Sequence, residues 1–147
     1  MEELRQLYNS LPTYDKLYKT EPVVEGTDYH IAVLSDEAYD TAKGLINYYR
    51  RVAGLGDITL SDDVNESAAY GALALAMNNS GLTHYPSQPK DMSSIDYNKA
   101  YAATTSSNLS SASGYLEKRI ISLAVSGQIG DSDSSNIGTL GHRRWLL

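Results

Sequence analysis

Two stretches of this chain repeat one local pattern, and that pattern commits much of it to helix. Ser35 is followed by Asp36 and Glu37, and Ser61 by Asp62 and Asp63. A serine hydroxyl satisfies free amides at a helix start, and carboxylates in the first turn complement the helix dipole. After the first cap, Ala38, Ala42, Leu45, Ile46, Tyr49 and Val52 recur at helical spacing, and Gly54 follows as a left-handed residue past the helix end. After the second, Val64, Ala68, Ala72, Leu75 and Ala76 mark an inner face small enough for close packing, and Asn78-Asn79-Ser80-Gly81 ends it.

The rest is more mixed. Leu4, Leu7, Tyr8 and Leu11 fall at helical spacing before Pro12, within an irregular lead-in over residues 1–28. Tyr29-His30-Ile31-Ala32-Val33-Leu34 is rich in strand formers and reads as a strand. Ser93 or Ser94 caps a short helix through Ala103, and the Ser/Thr run from Thr104 to Ser113 has the composition of a linker. A further helix is expected from Ser113 to Gly127, and Trp145-Leu146-Leu147 reads as the start of a buried strand. The chain is therefore α+β, with a single domain over residues 29–147 after the lead-in.

At 147 residues, one core is expected. The net charge of −6 argues against nucleic acid or anionic lipid as a partner. The chain has no cysteine, so neither disulfides nor thiolate chemistry enter. No apolar run is long enough for a transmembrane segment, and Met1-Glu2-Glu3-Leu4-Arg5 has no apolar leader. Twelve tyrosines and no phenylalanine suit half-buried packing or a cleft wall, and Tyr85 is the candidate for the latter.

Candidate chemistry gathers at Gly141-His142-Arg143-Arg144-Trp145-Leu146-Leu147. His142 can be a neutral metal ligand or carry a proton, and the arginines can pair with carboxylates. Taken alone, the favoured reading is a strand entering the core, with His142 satisfied by a backbone carbonyl. His84, in Thr83-His84-Tyr85-Pro86, alone reads as a surface residue, as does His30. Asp131-Ser132-Asp133 begins like an EF-hand loop but lacks its sixth-position glycine and twelfth-position glutamate, so that site is rejected. Asp131 or Asp133 remains a carboxylate source for a cleft.

The word Gly141-His142-Arg143-Arg144-Trp145-Leu146-Leu147 resembles the signature of bacterial members of the CAP superfamily, also called SCP-like extracellular domains. Asn47-Tyr48-Tyr49-Arg50-Arg51-Val52-Ala53-Gly54-Leu55 is similar to the family's first-helix motif, and Leu82 to Pro86 and Ser107 to Leu109 lend support. The resemblance covers roughly Ile31 to Leu147. It implies a three-layer α-β-α sandwich around a small, mostly antiparallel sheet, with further strands expected after Leu147.

It also implies a central cleft where His84 and His142 face each other and hold an optional, weakly bound divalent metal such as zinc. Ser107 stands where the family has a cavity glutamate, beside Asn108, and the family's second cavity glutamate has no match. Asn47 and Arg50, three apart on one helix face, tie that helix to neighbouring loops, and Arg143 supports the cleft. The function implied is a secreted or cell-surface module binding a small-molecule, peptide, lipid or glycan ligand. A metal-dependent hydrolase, peptidase-like or directed at cell wall, is the alternative. Serine cannot replace a carboxylate as general base, so the binding module is the expected class.

Overall fold

The computed structural model describes residues 2–79, 81–112, 117–134 and 137–147. The described elements run α1 (Glu2–Asn9), β1 (Tyr18–Thr20), β2 (Val33–Leu34), α2 (Asp36–Val52), α3 (Asp62–Asn78), α4 (Ser94–Ser106), a 3-10 turn (Glu117–Arg119), α5 (Ile120–Gly130) and α6 (Gly141–Leu146). They divide into two compact units. One comprises residues 1–17, 35–59 and 112–147; the other comprises residues 18–34 and 60–111.

The expected three-layer sandwich is not formed. Helices hold 54% of the described residues, and the described strands make only a two-stranded antiparallel pair. Two local outcomes account for the difference. In the Tyr29–Leu34 run only Val33 and Leu34 join a ladder, because their partner Tyr18–Thr20 is short and irregular in register. Pro22 follows it, and Val23 and His30 meet in an isolated bridge. The second outcome is at Trp145-Leu146-Leu147, expected as a strand. It belongs to helix α6 and its continuation, with Trp145 76% exposed. A strand needs a neighbour for its amides, whereas a helix supplies its own. Arg144 N donates to Leu140 O at 3.0 Å and Leu147 N to Arg143 O at 3.0 Å.

In the first unit, α2 starts as its sequence dictates. Ser35 Oγ accepts from Ala38 N at 3.1 Å and donates to Lys16 O at 2.7 Å. Ala38 and Leu45 are buried, and Gly54 takes φ +74° just past the helix end. Buried Tyr14 donates to Glu117 O at 2.7 Å and accepts from Ile121 N at 3.2 Å. The helix expected from Ser113 falls partly on residues 113–116, outside those described. From Ile120 it is helical and runs to Gly130, past the expected stop at Gly127.

In the second unit, α3 and α4 lie close together. A Cβ on Gly71 would come within 3.2 Å of Thr104 Cγ2 and 3.4 Å of Ala103 Cβ. Leu73, Ala74, Met92 and Ala100 form the buried cluster, with Tyr29, Ile31, Tyr70, Met77 and Tyr97 packed against it. Ser93 caps α4, accepting from Asp96 N at 3.1 Å. Thr104 to Ser106, expected in a linker, extend the helix. Thr105 and Ser106 hydroxyls fold back onto the carbonyls of Tyr101 and Ala102, so they do not compete with the backbone ladder.

The stripe expected to be the inner face of α3 turns the other way. Val64 is 65% exposed, and Ala68, Ala72 and Ala76 are exposed too. Gly71, Leu73 and Ala74 are buried instead. The contact face was chosen by backbone approach through glycine and alanine, and the longer apolar stripe was left open.

A candidate ligand cavity and two pinned histidines

That open stripe lines a cavity of about 440 Å³ in the second unit. Ala68, Ala72, Leu75 and Ala76 supply methyl groups along α3, and Ala103 and Thr104 contribute from α4. Three serines, Asn108 and Leu109 line it between Ser107 and Ser111, and Gly71, Asn79, Gly81 and Leu82 line it as well. None of the described lining residues is charged or aromatic. The volume falls within the usual size range of small-ligand pockets.

Ser107 and Asn108, expected at the cleft, both line this cavity. Ser107 is the C-cap of α4, with extended backbone at φ −121° and ψ 156°. A carboxylate here would meet an uncharged, largely methyl surface, which a serine suits better. Tyr85, the expected cleft wall, is 73% exposed and is not among the lining residues.

His84 belongs to the second unit. Its Nδ1 lies 2.6 Å from Thr104 O. A carbonyl only accepts, so Nδ1 carries the proton and the neutral ring keeps its lone pair on Nε2. Thr104 O is one of the last-turn carbonyls of α4, which have no partner within the helix.

His142 belongs to the first unit, at the start of α6. Its Nδ1 is 2.9 Å from Asp131 Oδ1, and the Asp131 side chain is fully buried. Asp131 ends α5 in the left-handed conformation at φ 46°. Its other oxygen accepts from Arg143 N at 3.3 Å. Burial pushes the Asp131 carboxyl up, but the bonds from His142 and the Arg143 amide outweigh it and hold the group below its ordinary 3.8. The carboxylate again assigns the proton to Nδ1, the arrangement that orients histidine ligands in metal sites.

The arginines act on helix ends. Arg143 Nε donates to Ile129 O at 2.6 Å and Nη2 to Gly130 O at 2.9 Å, closing the C-terminus of α5. Arg50 Nη1 donates to Leu146 O at 3.0 Å and Leu147 O at 2.9 Å, and its Nε to Gly56 O at 2.7 Å. Cations are favourable at helix C-termini. Asn47, buried in α2, clasps Ile58 through both main-chain groups: Nδ2 donates to Ile58 O at 3.3 Å, and Ile58 N donates to Oδ1 at 2.8 Å. Its sequence signals were the spacing to Arg50 and the motif over residues 47–55.

A metal fits this donor set only loosely. His84 keeps its Nε2 lone pair, yet no group of three or more His, Asp or Glu converges among the described residues. An ion would then depend on water for most of its shell.

No family model, curated protein or solved structure matches the chain. The CAP resemblance therefore rests on its motif words alone. Among the described residues, no helix is long and apolar enough to cross a membrane.

Proposed function

We propose that this chain is a secreted or cell-surface binding module of the CAP type, which takes an uncharged ligand in the cavity along α3. The observation that supports it is the open stripe of Ala68, Ala72, Leu75 and Ala76. Apolar surface left facing a formed cavity gains free energy when a ligand covers it. The Ser107 hydroxyl in place of a carboxylate supports binding over hydrolysis, since no proton acceptor of the needed strength stands there. A divalent cation on a histidine Nε2 is an optional addition in this reading, weakly held.

The test is an NMR screen of uncharged fragments against protein carrying labelled alanine methyls. Hits should move the Ala68, Ala72 and Ala76 resonances and lose affinity in Ala72→Leu, which fills the cavity from an exposed helix position. Hits that spare these methyls, or bind Ala72→Leu equally, would refute the reading.

A further inference from the structure

The cavity lining joins two chemistries that one kind of ligand uses together. Along α3, Ala68, Ala72, Leu75 and Ala76 offer methyl and isobutyl groups only. From Ser107 to Ser111 the lining residues are three serines, Asn108 and Leu109, and Ser107 itself leaves α4 in extended conformation. Among the described residues, the main-chain amides and carbonyls of Leu109, Ser110 and Ser111 enter no hydrogen bond with protein. Free main-chain donors and acceptors beside an apolar trough are what an added strand requires: pairing for its backbone, and space for alternate side chains.

The lining also discriminates. Among the described lining residues there is no aromatic face on which a sugar ring could stack, and no charge to hold an ionic headgroup. A purely aliphatic ligand would leave the main-chain groups of residues 109–111 unpaired on its polar side, which costs free energy once water is expelled. A peptide with small apolar side chains satisfies both surfaces.

We propose that the cavity binds an extended, uncharged peptide segment, which pairs with the main chain of Leu109–Ser111 and lays small apolar side chains against α3. This rests on the cavity being a ligand site. Once paired as a strand, the Leu109–Ser111 segment would turn the main-chain groups of alternate residues to the same side. The partner is therefore met either by Ser110, or by Leu109 together with Ser111.

The probe is acetyl-Ala-Val-Ala-Val-amide, titrated onto the labelled full chain and read by amide and alanine-methyl NMR, with 1-decanol as the aliphatic comparator. The expected result is downfield movement of the Ser110 amide, or of the Leu109 and Ser111 amides, together with the α3 methyls. One of Ser110→Pro or Ser111→Pro should lower affinity about tenfold, by removing a paired donor and its neighbouring register. Ala72→Leu should block the peptide as well. Decanol moving the α3 methyls while the peptide does not bind, or peptide binding that neither proline weakens, overturns the peptide inference and leaves the cavity reading standing. Failure of both probes to move the α3 methyls overturns the peptide inference and counts against the cavity reading too.

Discussion

His142 Nδ1 lies 2.9 Å from Oδ1 of Asp131, a carboxylate with no exposed side-chain surface. The pairing fixes which ring nitrogen holds the proton. At a pH where the ring is neutral, His142 should carry it on Nδ1, read by long-range proton–nitrogen NMR. Asp131→Asn should raise the other tautomer, because an amide can donate to Nδ1 where a carboxylate cannot. An Nε2-protonated ring in the wild type would refute the assignment.

The same carboxylate makes stability depend on acid. Its folded pKa lies below 3.8, so its contribution is fully present above the unfolded value and is lost as pH falls through the folded one. Wild type should therefore be more stable than Asp131→Asn at pH about 6, with the gap shrinking toward pH about 3. Urea midpoints across that range measure it. A gap that is constant or widens in acid would contradict the sign.

Arg50 holds three carbonyls at the ends of two segments, Gly56 O on one side and Leu146 O and Leu147 O on the other. Arg50→Ala should cost about 1–3 kcal/mol in denaturant unfolding. Arg50→Lys should recover only part of it, since a single ammonium lacks the fork that spans both. Full rescue by lysine would mean that charge alone matters.

Two glycines should respond with opposite signs. Gly71 sits where α3 meets α4, with Thr104 Cγ2 3.2 Å from the place of a Cβ. Gly71→Leu should destabilise by about 1–3 kcal/mol through overpacking. Gly127, inside α5, has nothing among the described residues within 4 Å of such a Cβ. Gly127→Ala should stabilise by about 0.4–1 kcal/mol, as the unfolded chain loses freedom. Thermal melts of the two variants decide it.

Zinc should bind weakly, without being needed for folding. Calorimetric titration of wild type, His84→Ala and His142→Ala checks this. Weakened binding in the variants supports histidine ligation, while no binding, or binding unchanged by either substitution, removes the metal from the proposed function.

Local chemistry was legible in the sequence where a few adjacent residues decide the outcome. Ser35 and Ser93 cap as their neighbours dictate and Gly54 takes the left-handed turn, whereas Ser61, with the same pattern as Ser35, makes no side-chain cap bond. The facing of α3 was not legible, because periodicity marks an apolar stripe without saying what lies against it. Gly71 and Ala74 won the contact with α4 by allowing closer backbones. Trp145 was misread for a related reason: an apolar run after glycine suits strand or helix, and only a neighbouring strand could have chosen the first. Ser107 and Asn108, named through the motif resemblance, line the cavity along α3, whereas the exposed Tyr85 is not among its lining residues. The buried role of Asp131 had only its place in an acidic loop as a signal.

The claim on which the proposed function depends is that α3 leaves its alanine stripe open. Solvent paramagnetic relaxation of labelled alanine methyls, using a neutral soluble radical, tests it directly. Ala68, Ala72 and Ala76 should relax strongly, while Ala74 and Ala100, both fully buried, stay protected. Protection of the first three to the level of Ala74 would show the stripe already covered and would remove the cavity on which the proposed function stands.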